Sequence, residues 1–216
     1  MNAKAFIFDL DGTILDTLPD LADSLDAALT AVGLPAIPLE KYKIMVGDGL
    51  LKLIERALPD ERRAELAEAT RLRFKAEYAR RRCARTVPCP GLPEVLAALA
   101  ARGRRLGVLT NKDHDDAQTI VEHYYPGRFQ AVLGAAAGRP PKPDPTGALE
   151  LAGLLGATPA EVVYVGDSGV DMTLGLRAGF RPVGAAWGYR SAAELEASGA
   201  FAVVAAPTDL LKFLAS

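Results

Sequence analysis

Short β-rich runs at 106–110, 129–133, 162–166, 182–186 and 202–204 alternate with helical stretches, and one more, Phe6-Ile7-Phe8, stands far upstream of them. Alternation of this kind restricts the second half of the chain to parallel βαβ units. Between the first run and the rest the pattern is helical only. Leu21, Leu25, Ala28, Leu29 and Val32 recur at helical spacing over 18–32, with Pro19 near the first turn and Gly33 at the stop. Pro35 and Pro38 lead to a short helix near 39–45, then the turn Val46-Gly47-Asp48-Gly49. A helix carrying Leu50, Leu53, Ile54 and Leu58 and a charged helix over 60–82 complete the block. The simplest architecture is an α/β core with a parallel sheet, built from residues 1–15 and 86–216, interrupted by an all-α insert at 16–85. Ligands of open parallel sheets bind beyond the carboxyl ends of the strands. Asp9, Thr110 and Asp167 each fall at such an end.

The first run passes directly into Asp9-Leu10-Asp11-Gly12-Thr13. Alternate residues of an extended segment share a side, so Asp9 and Asp11 start on one side of the chain, and Gly12 permits a tight bend after them. Two carboxylates so close repel each other unless a proton or a cation lies between them. A hard, oxygen-seeking ion such as Mg2+ meets that need. On its own, Asp-x-Asp-Gly is also the composition of a solvated turn.

Three further segments give the pair its context. Val108-Leu109-Thr110-Asn111-Lys112 is a strand ending in a threonine, Lys142-Pro143-Asp144-Pro145 presents a lysine ahead of a helix, and Val162-Val163-Tyr164-Val165-Gly166-Asp167-Ser168-Gly169-Val170-Asp171 is a strand ending in two acids. Together with Asp9 to Thr17, these segments resemble, in order, the four motifs of the haloacid dehalogenase superfamily. The resemblance spans most of the chain. It implies a Rossmann-like, three-layer core with an inserted helical cap. The insert, with Val46-Gly47-Asp48-Gly49 ahead of an amphipathic helix, resembles the small cap of the phosphoglycolate phosphatase branch.

The resemblance also implies roles. Asp9 would be the nucleophile that accepts a phosphoryl group, and Asp11 the general acid and base. Asp9, Asp167 and the backbone carbonyl of Asp11 would hold Mg2+, with Asp171 in support. Thr110, Asn111 and Gly12 would meet the phosphate, and Lys142 would neutralise both it and Asp9. In the cap, Gly47, Asp48 and Gly49 would face the leaving group, with Lys43, Lys52 or Arg56 adding charge; an inward Asp48 would repel a carboxylated substrate. The expected reaction is Mg2+-dependent hydrolysis of a small phosphomonoester. Sugar-phosphate mutases, pyrophosphatases and nucleotidases share the scaffold, and a member lacking a catalytic group would only bind a phosphorylated metabolite. No such group is missing here. Asp11 disfavours dehalogenation and phosphonate cleavage, whose enzymes replace it, and Asp16-Thr17-Leu18-Pro19-Asp20-Leu21 lacks the histidine of β-phosphoglucomutase-like members.

Composition narrows the partners. A net charge of −2 from 25 basic and 27 acidic residues carries no polyanion bias, so neither nucleic acid nor an acidic membrane is expected. There is no run of apolar residues long enough to span a bilayer and no signal-peptide layout, which gives a cytoplasmic expectation. Cys83 and Cys89 read as reduced thiols, Arg80-Arg81-Arg82 as a solvated helix end, and His114 and His123 as surface or packing residues. Ser168 reads as a helix cap, and Trp187-Gly188-Tyr189-Arg190 as a loop beside the crevice.

Overall fold

A computed structural model describes residues 3–214 of the chain. Strand β1 (Ala5–Phe8) is buried throughout. Its side chains divide by alternation between two cores, Phe6 and Phe8 on one face and Ala5 and Ile7 on the other. An apolar run buried on both faces belongs inside a parallel sheet, and β1 lies there.

After β1 come β2 (Leu15–Asp16) and helices α1 (Leu18–Ala31), α2 (Leu39–Met45), α3 (Leu50–Ala57) and α4 (Arg63–Arg81), the last preceded by a 3-10 turn at Asp60–Arg62. The chain returns through β3 (Val87–Pro88), antiparallel to β2, with Leu15 opposite Pro88 and Asp16 opposite Val87. It continues as α5 (Leu92–Ala101), β4 (Arg105–Asp113), α6 (His114–Tyr124), β5 (Ala131–Ala135), α7 (Thr146–Leu154), β6 (Val162–Gly166), α8 (Gly169–Arg177), β7 (Arg181–Ala185), α9 (Ala192–Ala197) and β8 (Ala202–Val204). Six strands pair in parallel in the order β5-β4-β1-β6-β7-β8. From β1 the chain proceeds to β4 on one side, and from β6 to β7 on the other. The order therefore reverses between β1 and β6, the point where such sheets open a crevice. Asp9 follows the first of these strands and Asp167 the second.

Three details depart from the sequence reading. The strand expected at 106–110 runs on to Asp113, past a register shift between Leu109 and Asp113. The strand expected at 129–133 begins at Ala131, because Phe129 leaves the ladder to pack edge-on against Phe8 and Tyr125. The two-residue ladder of β2 and β3 had no pattern long enough to detect. Cys83 and Cys89 are free, and burial pushes the Cys89 thiol up to about 12, a value at which a thiol is inert. Among the described residues no helix is long and apolar enough to cross a membrane.

In the helical insert, α4 buries Leu66, Thr70, Phe74 and Tyr78 at four-residue spacing, one stripe of the helix. It packs on α1. Where the insert rejoins the core, the buried Asp20 carboxylate accepts hydrogen bonds from the Arg85 and Thr86 N–H groups, each at 2.9 Å, and from the Thr86 hydroxyl at 2.8 Å. The Tyr124 hydroxyl donates to the Thr86 carbonyl at 2.7 Å. One side chain of α1 thus anchors the returning segment. Asp20→Ala leaves these donors without an acceptor, two of them on the buried Thr86, and should lower unfolding stability by about 2–4 kcal/mol in urea titrations. An unchanged midpoint would show that the joint is held elsewhere.

Candidate active site

The chain crosses from β1 into the site with its ladder intact, since the Asp9 N–H still donates to the Val165 carbonyl at 2.8 Å. The Asp9 side chain is buried, and Oδ1 lies 2.8 Å from Lys142 Nζ but has no aligned hydrogen-bond donor. Lys142 also contacts Asp171 Oδ1 at 2.7 Å and the Tyr164 hydroxyl at 3.3 Å. Its backbone N–H donates to Asn111 Oδ1 at 2.8 Å, and Asn111 Nδ2 donates to the Lys142 carbonyl at 3.3 Å and to the Gly47 carbonyl at 3.1 Å. Asn111 therefore fixes the lysine loop and the insert at once.

The fourth segment is held by a helix cap. Ser168 opens α8, its hydroxyl and N–H donating to Asp171 Oδ2 at 2.6 Å and 3.1 Å. A Cβ at Gly166 would fall 2.3 Å from the Asp171 carboxyl carbon, so only glycine admits this side chain. Asp167 accepts from the Tyr189 N–H at 2.7 Å and from the Thr13 hydroxyl at 3.4 Å. Gly12 at φ 79 and Gly188 both pack on Asp167, where a Cβ would come within 2.3 Å and 2.2 Å of its side chain.

Asp9, Asp167 and Asp171 bring carboxylate oxygens within 4.8 Å of one another, all buried. Burial, then the Asp171 charge, pushes the Asp9 carboxyl up to about 7 against the opposing pull of Lys142. Burial and the same neighbours hold Asp167 well above the carboxylate range. Burial works against the Lys142 charge, but Asp171 and Asp9 keep its ammonium firmly protonated. Three carboxylates face one ammonium, an imbalance that a divalent, oxygen-binding cation corrects. The residues present thus fit Mg2+.

Asp9 and Asp11 have different partners, because β1 ends at Phe8 and strand alternation does not carry as far as Asp11. Lys112 Nζ lies 3.0 Å from Asp11 Oδ1, and the Thr17 hydroxyl donates to the same oxygen at 2.5 Å. Both carboxylates nevertheless line one cavity of about 50 Å³ beneath the insert. Thr110, Asn111 and Lys112 line it from β4, Gly47, Gly49, Leu50 and Leu53 from the turn before α3 and α3 itself, and Phe74 and Tyr78 from α4.

Other residues expected at the site stand apart from it. Lys43 is half-buried and paired with Glu40, and Lys52 is paired with Glu55, and neither lines the cavity. Asp48 pairs with Arg56, which also donates to the Met45 carbonyl, so neither charge lines the cavity. The repulsion anticipated from Asp48 does not arise. Gly47, expected to face the leaving group, does line the cavity and presents its carbonyl to Asn111. His114 accepts from the Gly134 N–H, His123 packs edge-on against Tyr124, and Arg80 and Arg81 pair with Glu77, all structural roles.

A model of the haloacid dehalogenase-like hydrolase family matches residues 3–179. The chain belongs to that family. A phosphoglycolate phosphatase of Aquifex aeolicus is 31% identical, over 98% of this chain and 96% of its own length, and one of Chromobacterium violaceum is 34% identical over 98% and 97%. A solved structure from Lactobacillus delbrueckii subsp. bulgaricus, provisionally named a phosphoglycolate phosphatase, superposes with a TM-score of 0.92 at 30% identity, covering 99% of each chain.

Sequence reasoning gave no role to Lys112, Tyr78, Tyr164 or Tyr189. Lys112 was hidden by the expectation that the strand ends at Thr110; only its continuation to Asp113 carries Lys112 to the cavity. Tyr189 joins the elements by accepting from the Thr17 and Leu18 N–H groups at 3.2 Å and 3.1 Å while its own N–H holds Asp167.

The charge imbalance sets a pH dependence. In the folded, metal-free chain Asp9 keeps its proton up to about pH 7, whereas the unfolded chain releases it near the ordinary 3.8. Between those values unfolding sheds a proton, so stability falls as pH rises. In a chelator, Tm should drop from about pH 5 to pH 8, and Mg2+ should restore most at the upper end. A Tm that climbs across this interval would contradict the imbalance.

Proposed function

We propose that this chain is a Mg2+-dependent phosphatase of small phosphomonoesters, phosphoglycolate foremost, working through an aspartyl-phosphate on Asp9. The observation that carries this reading is the convergence of Asp9, Asp11 and Thr110 on one cavity closed by the helical insert, with Lys142 against Asp9. A cavity closed over by the helical insert suits a small metabolite and excludes a polymer. The similarity to phosphoglycolate phosphatases over nearly the whole chain supports the choice of ester.

In this scheme an Asp9 oxygen attacks phosphorus as the bond to the ester oxygen breaks, and Asp11 gives that oxygen its proton. Asp11 then takes a proton from the water that cleaves the acyl phosphate, returning Asp9. Thr110 and Asn111 bind the phosphate oxygens, and Lys142, fixed by Asp171, offsets the charge of nucleophile and phosphate. Mg2+, when bound through Asp9, Asp167 and the Asp11 backbone carbonyl, supplies further charge neutralisation and orients the ester.

Two variants separate the roles. Asp9→Asn should lower kcat by about 10⁴-fold or more while leaving the folded structure in place. Asp11→Asn should slow phosphoglycolate, whose alkoxide leaves poorly, by about 10²–10⁴-fold, yet slow p-nitrophenyl phosphate far less. Equal losses on the two esters would remove Asp11 from the proton transfer, and hydrolysis that survives a chelator would remove the metal.

A further inference from the structure

The cavity has a second polar corner, away from the acidic cluster. Lys112 of β4 is its one basic lining residue among the described residues, and its side chain is 6% exposed. Its ammonium lies 4.8 Å from the centroid of the Tyr78 ring, so a core lysine stacks against a residue of the insert. The Tyr78 hydroxyl is buried, its oxygen interacts with the Lys112 ammonium, and its proton has no aligned acceptor among the described residues. A buried hydroxyl proton without an acceptor is costly in an empty fold. It is useful where a ligand supplies the acceptor.

Around this corner, the other charges of the cavity are already matched. Asp113 pairs with Lys75 at 3.0 Å and Asp116 with Arg82 at 2.9 Å, each bridging core and insert. Outside the cavity, Arg190 donates to the Ile44 and Val46 carbonyls, and Arg56 is held by Asp48 and the Met45 carbonyl. Among the described residues lining the cavity, Lys112 is the one cation with capacity left. An ammonium has three donors; Asp11 engages one and the Tyr78 oxygen a second, which leaves one for a ligand. The remaining walls, Val46, Leu50, Leu53 and Phe74, are apolar and suit no second charge.

We infer that Lys112 and Tyr78 form the subsite for a carboxylate carried on the leaving group, the lysine supplying charge and the phenol a hydrogen bond. This rests on the phosphatase reading above and names what selects the ester. The cavity then has two anion sites: the phosphate lies against Asp9, Thr110 and Asn111, and the carboxylate between β4 and α4. Asp11, which Lys112 touches, stands between them, next to the ester oxygen that must be protonated. Because Tyr78 belongs to the insert and Lys112 to the core, a carboxylated substrate also draws the two together.

The test compares phosphoglycolate with ethyl phosphate, an ester of similar size and no second charge, in wild type and in Lys112→Met, Lys112→Arg and Tyr78→Phe. Preference of the wild type for phosphoglycolate tests the phosphatase reading. The ratio of the two kcat/KM values in each variant tests the subsite. Lys112→Met should lower that ratio by about 10- to 100-fold, Tyr78→Phe, which keeps the ring and its packing, by about 10-fold, and Lys112→Arg should retain much of it. The loss should fall on KM for phosphoglycolate, and glycolate should weaken as a product inhibitor in step. A ratio unchanged in Lys112→Met and Tyr78→Phe, with both esters slowed alike, would overturn the subsite and leave Lys112 as a residue that positions Asp11. A wild type without the preference, but with a ratio that falls in the variants, would retain the subsite and reject phosphoglycolate as the preferred ester.

Discussion

Three carboxylates and one lysine meet where β1 and β6 end, and most of the surrounding structure answers to the cost of burying them. Unpaired charges at that depth are strongly disfavoured, so each acid is tied to a neighbour. Asp171 is held by the Ser168 cap and by Lys142, and Asp167 by the Tyr189 N–H. Lys142 is aimed by Asn111, whose amide pairs with both the N–H and the carbonyl of the lysine. The raised Asp9 and Asp167 carboxyls mark the charge that remains uncompensated. The site is thus assembled to receive positive charge, and the parallel sheet is what brings strand ends from distant parts of the sequence close enough for the imbalance to exist.

The same crowding explains the small residues at the site. Gly12, Gly166 and Gly188 each lie where a methyl group would run into Asp167 or Asp171. Their role is space rather than flexibility, although Gly12 also takes a positive φ. The loop at Trp187–Arg190 extends this logic outward. The Trp187 indole N–H donates to the Thr13 carbonyl at 3.0 Å, Tyr189 reaches the start of α1, and Arg190 reaches the end of α2. One core loop therefore touches a candidate metal ligand, the chain leaving β1, and the insert.

Much of this was legible in the primary structure because it depends on short-range pattern. Alternation and strand ends located β1, β4, β6, β7 and β8, and helical spacing located α1, α2 and α3. Charge repulsion between neighbouring acids pointed to a cation. Burial along β1 and the Ser168 cap follow from residue type alone. The two-residue ladder of β2 and β3 was invisible, since its pairing joins segments about seventy residues apart and has no periodicity of its own. The misplaced start of β5 came from Phe129, whose ring found better packing against Phe8 and Tyr125 than the sheet offered.

The sequence by itself determined the kinds of atom available for chemistry and the strands that would carry them. Tertiary structure decided which of those atoms meet. Lys43, Lys52 and Arg56 were as plausible by composition as Lys112, yet they satisfy themselves with nearby acids or carbonyls on the surface of the insert, where water makes such pairs cheap. Lys112 is buried because β4 continues beyond Thr110 and the stripe of α4 closes over it, and both depend on contacts between residues dozens of positions apart. Side-chain charge is a local property, but the dielectric and the partner that give it a function are set only when the chain has folded.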